Sequence, residues 1–498
     1  MPRRRLVFGI SLVFLLIVAG CKPSKPAPTN LKTRFRGVTL RVVVPDNPAL
    51  VSWLEDQRGE WSAQTGGEVQ LVKPDAIESP DADSSARGIA RSLAASAADV
   101  LIYPTSQMGS VIASGSVVKV PADVFQSAAL EHRDIAPAVH DHLITWDREP
   151  HAIPLSADCM LVFYRTDLFA DEAQRDRFQQ QHGRALEPPA TWGEFDQLAA
   201  FFDGQDFDGD GDPDRSVAIA GCADSLVCRA AALGKLPRTL SFYFDISSGE
   251  PLIAGPVFQQ ALDDWSRVAK YLANGGAADP TLSTLASGRA ALAIGSSGLA
   301  SRLIATAGES SAGKFAAKIG CAPLPASTRV FQHDKRTWIE VPEKPNRVAV
   351  VRGIVASVLD SSPKPAAAFD LLTFLTSRER SLVPVTAQAY RLAPYRLSHV
   401  VDPAPWSAAG WSSGVSSFVA ATRESLSESN VVTTIRILGA DEFHRSLEIE
   451  IEPVFRSDSG AADAIAAAAK SWREIAERLG TDRVSRQYRY SLGMPVVR

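Results

Sequence analysis

Short β-branched runs alternate with stretches of helical periodicity along most of this chain. Val38–Val44 (VTLRVVV) reads as a strand ended by Pro45, and Glu68–Val72 as a second. Between them Trp53, Leu54 and Trp61 recur at helical spacing, and Thr65-Gly66-Gly67 supplies the turn. An alanine-rich helix is expected around residues 85–97, followed by the β-rich run Asp99–Tyr103. Cys159–Tyr164 reads as a strand, and Thr191–Phe202 as a helix capped by Thr191, with Glu194 completing a capping box. Helical patterns follow at Val257–Leu272 and Pro365–Thr376, with a strand at Ala290–Ile294 between them. The strongest helix is Ala461–Leu479, where Ile465, Ala468, Ala469, Trp472, Ile475, Ala476 and Leu479 form one stripe and Gly480 supplies the stop. There is no internal repeat. Strands alternating with helices predict parallel βαβ units and an α/β fold.

At 498 residues and 45% hydrophobic content, the chain exceeds the ~250–300 residues at which a single core stops growing, so two lobes are expected. Its N-terminus changes the picture further. Arg3-Arg4-Arg5 precedes an apolar stretch, Leu6–Ala19, too short to span a bilayer comfortably, and small residues lead to Cys21. This pattern resembles a bacterial lipoprotein signal. The resemblance implies cleavage before Cys21, diacylglycerol on its thiol, and a protein exported to face the periplasm or cell exterior. Loss of residues 1–20 removes three arginines and no acid, which moves the formal charge from −4 to −7. Mildly acidic, dispersed charge leaves no footprint for nucleic acid. No later apolar stretch approaches the ~18 residues of a membrane span. Residues 21–36, rich in proline, lysine and small polar groups, read as a tether.

Cys159, Cys222, Cys228 and Cys321 remain beside the lipidated cysteine, and an even number outside the cytoplasm permits two disulfides in three connectivities. Cys222 with Cys228 is the expected local pair, leaving Cys159 with Cys321; buried free thiols are the competing reading. No Cys-x-x-Cys motif suggests zinc.

The order of further signals is similar to that of the extracellular solute-binding proteins of bacterial ABC importers, in the sugar-binding group related to maltose-binding protein. The opening strand leads to Glu60–Val69 (EWSAQTGGEV), and Ala98–Tyr103 to Gly115–Pro121. His151–Leu155 through Leu161–Phe169 resembles the first crossover between lobes. Pro189–Phe195 (PATWGEF), Leu285–Gly295, Ala322–Pro325 and Ala366–Thr376 complete the series. The resemblance covers most of residues 38–480. It implies a two-lobed, type II periplasmic-binding-protein fold, a clamshell that closes on solute in its cleft. Lobe 1 is expected from residues 37–152 plus 346–380, and lobe 2 from 153–345 plus 381–498. It also implies a monomer that delivers solute to an ABC permease. Two departures bear on the ligand. Ser296-Ser297-Gly298 stands where an aromatic platform is common, and Tyr164-Arg165 replaces a usual Tyr-Asn.

A neutral sugar needs flat apolar faces and planar polar groups that pair with hydroxyls. Candidates at family-like cleft positions are Asp46, Asn47, Tyr103, Ser106, Gln107, Asp158, Tyr243, Ser297, Tyr390 and Arg391. Each competes with an ordinary packing role, and Arg391 also suits an acidic sugar or a protein carboxylate. Ligand-binding lipoproteins that signal to a receptor share these features.

Asp206, Asp208, Asp210, Asp212 and Asp214 follow the spacing of an EF-hand-type calcium loop, with Gly211 at the sixth position. Position 12 is Val217, so the bidentate glutamate is missing. A structural Ca²⁺ is expected, against a solvated acidic turn. Gly410-Trp411-Ser412-Ser413-Gly414 fits a nucleophile elbow, with Asp441 and His444 downstream. The two prolines in Val401–Trp406 exclude the central strand that elbow requires, and Asp441 and His444 share one expected helix. No catalysis is therefore expected. His140, His142 and His151 are read as a surface cluster and not as metal ligands.

Overall fold

The computed structural model describes residues 31–73, 93, 96–273, 280–306, 315–411 and 414–494. Cys21 with its signal, most of the expected helix around 85–97, and Ser412 lie outside the described residues. β1 (Thr39–Val43) buries Leu40, Val42 and Val43 and pairs in parallel with β2 (Glu68–Val72) and β3 (Val100–Pro104). Such double-sided burial suits the β-branched run read from the sequence. α1 (Pro48–Thr65) crosses between β1 and β2. Its start is set by Asn47, whose Oδ1 accepts from the Leu50 N–H at 3.0 Å, and by Pro48, which needs no donor there. Gly66, at φ 76°, ends it. Trp61 Nε1 donates to Asp370 Oδ1 at 3.0 Å, fixing α1 to a helix far along the chain.

β4 (Ile153–Arg165) is longer than the six residues expected. Pro154 would normally interrupt a strand, but it sits where the ladder shifts register, with Ile354 opposite Ser156 and Val355 opposite Pro154. A bulge absorbs the missing donor. α2 (Trp192–Phe202) begins at the expected capping box: Glu194 N–H donates to Thr191 Oγ1 and Thr191 N–H to Glu194. β5 (Val217–Ile219) and α3 (Cys222–Gly234) follow, then α4 (Pro256–Val268), β6 (Leu292–Ser296), α5 (Ser297–Thr306) and β7 (Ile319–Pro323). β8 (Ala349–Val358), α6 (Pro365–Leu375), β9 (Val431–Thr433), α7 (Ala440–Phe455), α8 (Ala461–Leu479) and α9 (Thr481–Ser491) complete the framework.

These strands join one nine-stranded sheet in the order β2-β1-β3-β8-β4-β6-β5, with β9 against β8 and β7 against β4. The two long strands carry the architecture. β8 pairs antiparallel with β3 through Ile354–Val358 and parallel with β9 through Ala349–Val351. β4 pairs with β8 through its first half and with β6 and β7 through Leu161–Tyr164. The antiparallel pair β4/β8 therefore runs from a first parallel layer (β1–β3) into a second (β5, β6). Gly353 lies at their closest approach, where a Cβ would stand 2.5 Å from Ser156 O.

The apolar stripe of α8 packs on Phe443, Leu447, Ile451 and Val454 of α7. Trp472 stacks on Phe244, and its Nε1 donates to Phe443 O at 2.9 Å. Burial of a Trp or Phe side chain contributes ~1.5–3 kcal/mol each, so this seam holds α7 firmly. Among the described residues, no helix is long and apolar enough to cross a membrane.

The cysteine pairing is corrected. All four cysteines at 159, 222, 228 and 321 are free thiols. Cys222 and Cys228 both lie on α3, and six residues of helix turn them to different faces. Cys321 lies opposite Phe163, four residues along the ladder from Cys159, or ~13 Å of strand, beyond disulfide reach.

Candidate functional site

Three segments far apart in sequence meet where β4 and β8 leave the first layer. Arg352 on β8 lies directly opposite Asp158 on β4. Arg352 Nη1 donates to Asp224 Oδ2 at 2.7 Å, in the first turn of α3. The Asp224 carboxylate also receives His444 Nε2 of α7, at 3.3 Å from Oδ1.

The sequence explains why these groups meet. Gly221 precedes α3 and offers no side chain to cap it. Glu448 of α7 takes that role, accepting from the N–H groups of Cys222 at 3.0 Å and Ala223 at 2.6 Å. One turn earlier on α7, His444 is thereby placed beside Asp224. Asp158 does the same for α5: its Oδ1 accepts from Ser297 Oγ at 3.0 Å and from Gly298 N–H at 2.6 Å. A Cβ at Gly298 would stand 3.0 Å from that oxygen, so a bare residue lets the carboxylate approach.

The charges are set by this wiring. Burial alone would raise the Asp224 carboxyl; the His444 hydrogen bond and the Arg352 guanidinium overcome it and hold the group well below the usual carboxylate range. The hydrogen bond to Asp224 raises the His444 pKa against the opposing effect of burial. Arg352, which burial alone would weaken as a cation, is held charged by Asp224 and Asp158.

Above this floor opens a cavity of ≈ 350 Å³. Pro104, Thr105 and Ser106, at the carboxyl end of β3, form one wall. The opposite wall is Thr434 and Ile435 after β9, with Ala440, Asp441, His444 and Arg445 from the start of α7. Arg352 and Gly353 close the bottom, and Gly353 N–H donates to Thr105 Oγ1 at 3.1 Å. The size falls within the ~300–1,000 Å³ of small-ligand pockets, and the carboxyl end of a parallel strand is where such sites form.

Of the ten ligand candidates, Ser106 lines the cavity; Asp158 and Ser297 hydrogen-bond to each other across from Arg352 and are not among the residues that line it. The rest are placed elsewhere. Asn47 is consumed as the cap of α1, and Asp46 is exposed on the turn before it. Tyr103 is buried with its hydroxyl 2.8 Å from Ser357 Oγ, and burial pushes its pKa up to about 12. Gln107 is half-buried before the short helix Met108–Ala113. Tyr243 donates to Thr433 O at 2.9 Å and lines a separate cavity of ≈ 40 Å³ with Tyr488 and Lys235. Tyr390 donates to Asp56 Oδ2 on α1 at 2.5 Å, and Arg391 is exposed with its Nε on Gln388 O. A strand-end position alone did not separate packing from cleft.

Arg352, Asp224 and Arg445 were not singled out by sequence. One signal was visible: Arg352 is the sole charge in Ala349–Val358, an otherwise apolar strand. Asp441 and His444 were paired as remnants of a hydrolase triad. Both do lie on α7, but the partner of His444 is Asp224. His142 and His151 are sequestered by burial, which lowers both pKa values, that of His142 to about 4, while His140 pairs with Asp141.

In the aspartate loop, ligand oxygens of Asp206, Asp208 and Asp210 lie within 4.8 Å of one another. Asp206 accepts from the N–H groups of Gly209 at 2.7 Å and Gly211 at 3.0 Å. Asp212 and Asp214 do not join this group; Asp214 turns inward to accept from Phe207 N–H at 2.8 Å. Val217, at the twelfth position, is buried at the start of β5.

No protein-family model and no curated protein matches the chain. Solved structures do. The sugar-binding protein MalE from Xanthomonas citri aligns over 89% of this chain and 98% of its own, at 16% identity and a TM-score of 0.66. An ABC transporter solute-binding protein from Agrobacterium radiobacter, in complex with ribitol, aligns over 89% and 100%, at 16% identity and 0.62. Maltose-bound MalE3 of T. maritima aligns over 88% and 100%, at 19% identity and 0.59. With the β4/β8 crossover and the cleft beside it, these alignments identify the fold as the two-lobed architecture of the ABC-transporter solute-binding proteins.

Proposed function

We propose that this chain captures a small carbohydrate in the cleft between β3 and α7 and hands it to a membrane permease without altering it. The observation that carries this reading is the ≈ 350 Å³ cavity at the β4/β8 crossover, walled by the end of β3 on one side and the start of α7 on the other. Relative rotation of the two layers about β4 and β8 opens or closes such a cleft, and a closed, filled form is a state a permease can read. Solved relatives of the same fold hold maltose and ribitol, which supports a carbohydrate or polyol here. The same reading takes residues 37–152 with 346–380 as one lobe and 153–345 with 381–498 as the other, and Cys21 as the lipid anchor of an exported protein. It also assigns a structural Ca²⁺ to the aspartate loop, where three carboxylates converge and a divalent ion would relieve their repulsion.

Thermal unfolding of the full chain against a panel of neutral sugars and polyols tests the central claim. A ligand should raise the midpoint by mass action and should cease to do so in Asp158→Ala. No shift from any sugar, polyol or sugar acid sinks the carbohydrate reading.

A further inference from the structure

We propose that the cleft prefers an anionic monosaccharide, a sugar acid or a sugar phosphate, over its neutral parent, with Arg445 and His444 receiving the acidic group. The inference rests on the carbohydrate reading above and names the class of ligand within it.

The first observation is the lining. A neutral sugar is commonly seated on the face of a Trp, Tyr or Phe, and none of these is among the described residues lining this cavity. Arg352 is balanced by Asp224 and faces Asp158, and His444 bonds to Asp224, which leaves Arg445 as the lining cation without a carboxylate partner among the described residues. An unmatched guanidinium in a cavity wall draws in anions.

The second observation is how these cations are engaged. Arg352 is committed to Asp224 and faces Asp158. Arg445 is exposed in the cleft wall, and no described residue bonds to it or pairs with it. His444 spends one ring nitrogen on Asp224, which leaves Nδ1 for a ligand. The Asp224 contact also raises the His444 pKa and so favours the protonated ring, in which Nδ1 is a donor.

The third is a contrast among helix starts. α3 and α5 begin beside the cleft floor, and each has its first N–H groups closed by an internal carboxylate, Glu448 and Asp158 respectively. α7 begins in the cavity wall after Gly439 with no side-chain cap; its Ala440 N–H is taken by Ile437 O, and Asp441 and Glu442 stand in its first turn. Helix starts around the cleft are therefore already matched by carboxylates of the chain, and on α7 it is Arg445 and His444 that remain to receive a ligand anion.

The test uses matched sets, such as glucose, glucuronate and glucose 6-phosphate, and their galactose counterparts, titrated into the full chain by calorimetry. An acid of one set should bind at least about tenfold more tightly than its neutral parent, and more weakly as salt rises. Arg445→Gln should weaken that acid by about tenfold, whereas Lys470→Gln, on the exposed face of α8, should not. Tighter binding of uronate than phosphate, or the reverse, decides the anionic group. A neutral parent that binds as well as its acids overturns the proposal and leaves the carbohydrate reading standing. An acid whose affinity survives Arg445→Gln within twofold also overturns it. Failure of every compound, neutral and acidic, removes the carbohydrate reading itself.

Discussion

The aspartate loop and the cleft floor both crowd carboxylates together, and they answer the resulting repulsion differently. In the loop, Asp206, Asp208 and Asp210 lie within five residues, and the donors that relieve them are backbone N–H groups of the same turn. At the floor, Asp158 and Asp224 come from β4 and α3. Their partners, Arg352, His444 and the Gly298 N–H, arrive on three further elements. One cluster is local and solvated. The other exists only when the chain is folded, so its charges are coupled to stability and to whatever enters the cleft.

The largest expected effect breaks the floor. Asp224→Ala strands Arg352 and His444 and should cost about 2–3 kcal/mol of unfolding free energy by urea titration. That is less than the ~3–5 of a wholly buried pair, because Arg352 keeps 36% of its side chain exposed. Asp210→Ala in the loop should leave the calcium-free midpoint where it was; an equal loss there would erase the distinction. Next in size is calcium. At tenfold excess over its Kd the ion should add about 1.4 kcal/mol, measured by thermal or urea unfolding, and Asp208→Asn should remove that gain while Asp224→Ala retains it.

A smaller effect separates packing from recognition at Asn47, away from the cavity. Asn47→Ala should lose about 1 kcal/mol through the α1 cap, and Asn47→Asp should restore it, since aspartate caps as well. The smallest is a pH dependence. The folded pKa of His444 is raised by its Asp224 hydrogen bond, so its contribution is complete below the unfolded value of ~6.5 and disappears as pH climbs through the folded one. His132, His142, His151, His333 and His399 are shifted down and act in the opposite sense. The readout is therefore the difference between wild type and His444→Gln, which should shrink as pH rises above the unfolded value of about 6.5.

Elements built from near neighbours were legible. Ala461–Leu479 has its expected bounds, the Thr191–Glu194 capping box is formed, and Glu68–Val72 is a strand end to end. Each depends on periodicity or on contacts three or four residues apart. β4 was underestimated because Pro154 argues against a strand until its partner supplies a bulge. The cysteine pairing failed for a related reason: a five-residue gap suggests proximity, and a helix turns it into separation.

For the cavity, Ser106 was reachable because it follows the carboxyl end of β3, yet Tyr103, three residues earlier, is buried against Ser357. Which way a strand-end side chain turns depends on the layer packed against it. The residues that give the cavity its charge had no local signature beyond one arginine in an apolar strand.

By itself, the sequence determined the alternation of strands and helices, the Thr191 capping box and the aspartate turn, because these follow from hydrophobic period and short-range hydrogen bonding; two lobes were expected from chain length and from the family resemblance. Tertiary structure alone decided that Glu448 caps α3, that His444 consequently meets Asp224, and that Arg352 joins them across from Asp158. Those contacts join residues more than a hundred positions apart, and only the packing of α7 on α3 beside the β4/β8 pair brings them together.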